Sequence, residues 1–329
     1  MATITTQYSL VEQAKRINPD GTQALVAETL NLEMGNILQE APWMPSNDIW
    51  TNKTVRRGIL PAGTWRKVNN GVATEVSQVT EINDVIGMLE TYAEYDKEYI
   101  DNMPNPNMAR MDEAKAFLEG LGQTLVSTVL YGNVNADPDK MHGFAPRLAT
   151  IDGEFVINGG GSGSDLTSLF VVTWGKTEVY FVYPKNNAGT LGIKHTNLGE
   201  VTITKATTGL ASANQFQGYR DHFQVKCGLV VRHPKCIGRV ANIETSGASN
   251  TFNEDDLITL LNNMKVNENT RIYGNQTIIT QGQIRLKDKT NVNWTPEQGL
   301  GGAPMLRFSG IPVRKIDKQL LLNTETAIS

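Results

Sequence analysis

The sequence is poor in the residues that usually carry chemistry. Its 329 residues include only two cysteines and four histidines. Cys227 and Cys236 form no CxxC pair, and a disulfide framework needs more than one bridge. Reduced thiols in a cytoplasmic protein are the preferred reading; one bridge across a hairpin is the alternative. His142, His195, His222 and His233 are scattered, with no pair at the three- or four-residue spacing of a helical metal site. His233 and Cys236 stand three apart, but no further ligand lies near them, so no metal is expected. Charge is also scarce, at 19% of residues against about a quarter in an average protein. A net charge of -4 excludes a dedicated, strongly basic DNA-reading domain. No apolar run approaches the roughly 18 residues of a membrane span. Met1-Ala2-Thr3-Ile4-Thr5-Thr6-Gln7 has neither the basic nor the apolar region of a signal peptide, so an aqueous, cytoplasmic setting is expected.

Catalytic patterns are missing too. Gly159-Gly160-Gly161-Ser162-Gly163-Ser164 resembles a phosphate loop, but Asp165 stands where a useful lysine would be and a strand follows. A flexible turn is expected there. No G-x-S-x-G elbow occurs. Asp221 and His222 are adjacent, so on a strand they point to opposite faces and make no ready dyad. Asp112 and Glu113 open a long helix, where the helix dipole explains them. No catalytic, cofactor-binding or metal residue is therefore assigned.

What is present is material for packing. Hydrophobic residues make up 40% of the chain, enough for a core, and 30 glycines with frequent asparagine predict many turns. The length suggests about two domains. Ser9 and Glu12 form a capping box at the start of a short helix, and Asn18-Pro19-Asp20-Gly21 ends it. A second helix from Thr22 carries an apolar stripe of Val26, Leu30, Met34 and Ile37, and stops at Ala41-Pro42. That stripe could pack on its own domain or, equally, on a neighbouring subunit.

Residues 43–101 then turn to β pattern. Ile49 to Val55 predicts a strand, Gly58 to Gly63 a turn, and Thr64 to Val68 the returning strand, with more β pattern from Thr74 to Val79. Arg56, Arg57, Arg66 and Lys67 make this hairpin polar on both sides. Composition favours a plain solvated hairpin; an arm reaching across neighbours is the alternative.

Pro106 to Tyr131 predicts one helix of about 26 residues, near 39 Å long and over twice the usual length. Asn105 caps it, Pro106 suits its first turn and Gly132-Asn133 closes it. Met111, Ala114, Leu118, Leu121, Leu125 and Val129 follow helical spacing, while Gly120 and Gly122 suggest close contact with a sheet. Beyond it, Ser168–Trp174 and Thr177–Tyr183 flank Gly175-Lys176 as a hairpin. Phe223–Arg232 and Ile237–Ile243 suggest another, turning at His233-Pro234-Lys235. Asn253 caps a helix to Met264 whose first turn is acidic and whose buried face is Leu257, Leu260, Leu261 and Met264. Strands are expected around Ile278 and from Arg307 to Val313. The class is α+β, without repeats.

The order of elements carries a resemblance. A helical N-terminal arm, a polar β excursion, one very long helix closing on Leu130-Tyr131-Gly132-Asn133 and a β-rich remainder resemble the major capsid protein of tailed bacteriophages. Phe170-Val171-Val172-Thr173-Trp174-Gly175, Tyr183-Pro184-Lys185-Asn186, Ala188-Gly189-Thr190-Leu191-Gly192 and Leu198-Gly199-Glu200 are similar to head proteins of short-tailed phages. The resemblance implies an N-arm at 1–41, an extended E-loop at 42–101, and a peripheral domain at 102–150 and 300–329 with its spine helix at 106–131. It places a mainly axial domain at 151–299. It implies pentamers and hexamers of an icosahedral head enclosing double-stranded DNA. Further implied partners are a scaffolding protein, a portal, a decoration or cement protein, and packaged DNA touched non-specifically. The protein would be assembled in the host cytoplasm and carried in the virion. Candidate interface residues are Val26, Leu30, Met34, Trp50, Arg56, Arg57, Trp65, Arg66 and Lys67. A phage tail or baseplate protein and a β-rich hydrolase are the competing readings.

Overall fold

Leu166 to Thr173 is a run of eight residues with no charge, and all eight are buried. A strand buried on both faces needs neighbours on both edges and layers above and below. The computed structural model supplies them. It describes residues 32–187, 192–205, 214–247, 249–285, 294–298 and 304–329. The short helix expected from Ser9, and the second helix before residue 32, lie outside the described residues. The second helix was expected to run on to Ala41, but residues 32–36 are not helical, Gly35 and Asn36 take positive φ, and only Ile37–Glu40 is helix.

In chain order the elements begin with α1 (Ile37–Glu40), β1 (Trp43–Pro45), β2 (Thr51–Ile59), β3 (Gln78–Val85) and β4 (Gly87–Asp96). Then come α2 (Lys97–Asp101), α3 (Pro106–Tyr131), α4 (Phe144–Arg147), β5 (Val156–Asn158), β6 (Leu166–Thr173) and β7 (Val179–Tyr183). β8 (Lys194–Lys205), β9 (Asn214–Val231), β10 (Ile237–Glu244), α5 (Glu254–Asn263), β11 (Thr270–Asn275) and α6 (Gln276–Arg285) follow. β12 (Trp294–Gln298), β13 (Pro304–Phe308) and β14 (Ile311–Ile316) end the series. The α+β class is as expected. Two compact units emerge: among the described residues, one holds 89–124 and 192–225, and the other 32–88, 125–191 and 226–329.

The larger unit is built on a seven-stranded sheet in the order β12-β13-β14-β11-β6-β10-β5. On one face, Leu257, Leu260 and Met264 from α5 and its end, with Ile278 of α6, cover Leu169, Val171, Val240 and Ile272. Trp294 and Phe308 complete that layer. A second, polar layer centres on Arg239 and Glu325, which are 4% and 7% exposed. The Arg239 guanidinium donates to Glu325 Oε2 at 2.9 Å, to Ser168 Oγ at 2.9 Å and to Leu148 O at 3.0 Å. Tyr131 and Ser168 hydroxyls also donate to Glu325. Burial, then the Glu325 carboxylate, pushes the Tyr131 phenol far above its ordinary pKa. Glu40 of α1 accepts from Tyr273 Oη at 2.8 Å and from Arg271 and Arg314 at 3.2 and 2.6 Å, which fastens the α1 segment to β11 and β14.

In the smaller unit β8 and β9 pair antiparallel, with Lys194 opposite Gln224, and β4 neighbours β9. Gly218 permits this packing, because a Cβ there would sit 2.5 Å from Tyr95 O. Asp221, 3% exposed, accepts from Arg110 and lies 3.1 Å from His195 Nε2.

Several expectations hold. The long helix has the expected bounds, Asn105 Oδ1 accepts from Met108 N at 3.2 Å, and Gly132 N donates to Thr128 O at 2.8 Å. Leu121, Leu125 and Val129 are buried, although Met111 at the start of the same stripe is 65% exposed. Asn253 caps α5, accepting from Asp255 N.

Others are corrected. Gly120 faces open space, so it marks no close sheet contact. β6 and β7 do not form a hairpin: β6 pairs with β10 and β11, and β7 with β1 and β9. The β9–β10 hairpin fails in the same way, since the turn capped by the His233 ring passes the chain from one sheet to the other. Alternation and a short turn suggest local pairing, but fully buried strands draw partners from elsewhere in the chain. Ile278 lies in α6, not in a strand. The Arg307–Val313 strand is broken by Ser309 and Gly310, both at positive φ, into the tight β13–β14 hairpin. The Gly159–Gly161 run is pinned, donating from Gly159 N to Ala241 O at 2.7 Å and from Gly161 N to Asn242 O at 2.9 Å. A Cβ at Gly161 would lie 2.6 Å from Asn242 O, so glycine serves close packing there and not flexibility.

Arg239→Met should destabilise the protein by about 3–5 kcal/mol in urea unfolding, because it strands a buried carboxylate. Cys227 and Cys236 are buried free thiols, and burial raises them to about 12 and about 11. Below the ordinary value of 9.0 both are protonated whether folded or unfolded; above it the unfolded chain ionises first, so their contribution to stability falls as pH rises toward 11–12. A thiol reagent at pH 8 should label neither until the chain unfolds; rapid labelling of the native protein would contradict this burial.

Candidate assembly surface

β2 and β3 form a sheet of their own, with Thr51 opposite Val85 and Arg57 opposite Val79. Along β2, Asn52 and Thr54 are buried near the root, and the strand is exposed from Arg57 onward. The returning strand is β3 and not Thr64–Val68, and the connection spans residues 60–77 in place of the short turn expected at Gly58–Gly63. Strand pairing is set at the root, where β3 has side chains to fasten; Thr64–Val68 pairs with no strand among the described residues. Asn69, at positive φ, and the Asn70 N to Lys67 O bond of 3.2 Å turn the chain within this connection.

The root is fastened by charge. Arg147 Nη2 donates to Asp84 Oδ1 at 2.7 Å, to Leu229 O at 3.0 Å and to His142 O at 3.2 Å. Arg56 donates to Arg232 O at 3.0 Å and to Val231 O. Burial lowers the pKa of His142, and the Arg147 charge lowers it further against the pull of Asp84, so its ring is neutral at pH 7. Asn47 and Lys53 exchange two bonds of 2.6 and 2.9 Å across the entry to β2. Trp50 is half-exposed beneath the Lys226 ammonium, 5.5 Å from its ring centroid.

The tip is the opposite. Trp65 is 100% exposed, Val68 88% and Val76 77%. Arg57, Arg66 and Lys67 are exposed as well. Residues 51–77 carry five basic side chains and one acidic, in a chain of net charge -4. The combination of bare apolar groups and concentrated positive charge is costly alone and useful against a complementary surface.

The interface candidates thus divide. Trp65, Arg57, Arg66 and Lys67 are together on the exposed part of the hairpin, and Trp50 and Arg56 sit at its root, Arg56 already spent on carbonyls of its own chain. Met34 bridges Ile316 within the same unit. Val26 and Leu30 lie outside the described residues. Sequence reasoning missed Asp84, Arg147 and His142, because residues 63 positions apart leave no local pattern.

Nothing in the described residues assembles a reactive group. No cluster of three His, Cys, Asp or Glu side chains could hold a metal ion there. A cleft of about 700 Å³ at the hairpin root contains two aspartates, both engaged. Asp84 pairs with Arg147, and Asp152 accepts three backbone N–H groups at 2.8 Å. Burial pushes the Asp152 carboxyl up, but those donors outweigh it and hold it below its ordinary value. Asp221 and His222 face opposite ways, as expected: His222 lies 3.1 Å from Glu90 and stacks on Tyr92.

The sequence profile of a family described as major capsid protein GP7 matches residues 18–329. No curated protein matches the chain. A chain in the near-atomic cryo-EM structure of bacteriophage epsilon15 matches with a TM-score of 0.73 and 26% identity, covering 100% of this chain and 99% of that one. The bacteriophage JBD30 capsid matches with a TM-score of 0.46 and 11% identity, over 96% of this chain and 100% of that one.

Arg147→Met should release the hairpin root at a cost of roughly 3 kcal/mol, since Asp84 would be left buried and unpaired. Amide exchange in β2 and β3 should then quicken while that of β6 stays slow. Unchanged protection of β2 and β3 would show that the ion pair does not hold the root.

Proposed function

The chain belongs to the major capsid protein GP7 family, and from that premise we propose how it builds a shell. It is a structural subunit of a phage head, carried in the virion, and its role is not enzymatic. Copies of it assemble into capsomers. The tail, baseplate and hydrolase readings are set aside.

The observation that carries the proposal is the hairpin that no described residue covers. Head-to-tail contacts close into rings when the rotation allows. Obligate interfaces commonly bury about 2,000–5,000 Å² in total. An extended element supplies such area without enlarging the body of the subunit. The hairpin acts as the E-loop, laying Trp65, Arg57, Arg66 and Lys67 on an adjacent copy, with Trp50 and Arg56 at the edge of that contact. The N-terminal arm, with Val26, Leu30 and Met34, adds a second contact. The long helix is the spine of a peripheral domain (102–150 and 300–329), and residues 151–299 form most of an axial domain. The rings are pentamers and hexamers of an icosahedral head around double-stranded DNA. Contact with that DNA is non-specific, consistent with the balanced charge. A scaffolding protein, a portal and a decoration or cement protein are the further partners.

Replacing residues 60–77 by an Asn-Gly turn should leave a folded, soluble protein with its Tm nearly unchanged and no shells in electron micrographs. Normal particles from this variant would refute the assignment. Arg66→Glu combined with Lys67→Glu should lower shell yield, most at low salt, where the Debye length is about 30 Å at 0.01 M and repulsion is least screened. A yield independent of both charge and salt would remove the electrostatic part.

A further inference from the structure

The cleft at the hairpin root has a mixed lining. Leu148, Phe155, Pro234 and Ile237 are its apolar residues, and Arg56, Arg147, Asp84 and His142 are charged or polar. Among the described residues, two polar atoms of this lining have no hydrogen-bond partner: Asp84 Oδ2 and His142 Nδ1. Asp84 is only 3% exposed, so its second oxygen is an acceptor sealed from solvent and unmet. A buried polar atom left in this way lowers stability until a donor reaches it.

We propose that this cleft receives Trp65 from the hairpin tip of an adjacent copy. The inference rests on the hairpin reading above and names the seat that reading leaves open. Trp65 is a large apolar ring with a single N–H and no acceptor, and it is bare in the isolated chain. The cleft offers the matching chemistry: apolar side chains for the ring, an unmet carboxylate oxygen for the N–H, and guanidinium groups that pack favourably on an aromatic face. Because Asp84 is already paired with Arg147, and Arg56 adds positive charge, a neutral ring suits the cleft better than the neighbouring Arg66 or Lys67. Both atoms are buried in the single chain, so the indole N–H reaches Asp84 as the side chains around it move. Tryptophans held in such pockets dominate many interfaces. Tip and cleft are different surfaces of one chain, which makes the contact head-to-tail and able to close a ring.

Thr64→Cys with Thr150→Cys tests the seat, since Thr64 flanks Trp65 and Thr150 lines the cleft. Oxidised shells of this variant should run as a ladder of covalent oligomers on a non-reducing gel, and unassembled protein should not. The buried Cys227 and Cys236 leave the wild type as a clean control. Thr150→Trp fills the cleft, and Trp65→Ala removes its occupant; each should cut shell yield about tenfold or more, as expected for an interface anchor. Trp65→Phe, which keeps a ring but no donor, should fall between. Intact shells without cross-links, or normal yield from Thr150→Trp, would overturn the proposal. If the 60–77 deletion still abolishes assembly in that case, the hairpin reading stands and only this seat is wrong; if the deletion assembles normally, both fall.

Discussion

A two-stranded ribbon has no interior. Among the described residues β2 and β3 pair only with each other, and the side chains beyond the root are exposed. Isolated hairpins are marginal in water at best. This one nonetheless carries a tryptophan and three valines at its exposed end. Each square ångström of apolar surface left in water forgoes about 25 cal/mol. In the proposed shell, the missing cover comes from an adjacent copy of the chain.

A projecting element is useful to an assembly only if it points in a fixed direction. The Arg147–Asp84 pair and the Arg56 bonds to the end of β9 hold the root to the larger unit. That unit is itself stiff: its central strand is buried on both faces, and Arg239 and Glu325 join its sheet to the tail of the chain through a satisfied buried ion pair. Stability sits in the sheet and the root, and the uncompensated surface sits at the tip. The division is what a shell subunit requires, since the body must fold before its neighbours arrive.

The sequence revealed elements better than partnerships. The long helix was legible to the residue because its cap, its Pro106 and its closing Gly132 are local signals. The helix at Glu254–Asn263 was legible for the same reason. Pairing was not. β6 and β7 look like a hairpin around Gly175, yet they belong to different sheets, because two apolar runs say nothing about which strands will lie beside them. The polar excursion was recognisable as a hairpin, but its register was not, since the strand that closes it is chosen by Asp84 and its remote partner Arg147. The bare tip was visible as Trp65 among basic residues, whereas the root and its cleft come from residues 56, 82–85, 134–156 and 231–237, which no linear pattern joins.

The central claim is that residues 60–77, left uncovered by the described residues, gain their cover from an adjacent copy. Hydrogen–deuterium exchange over this segment, compared between unassembled protein and intact shells, measures that directly. The account predicts fast exchange in the unassembled chain and strong protection in the shell. Equal exchange in the two states would contradict it.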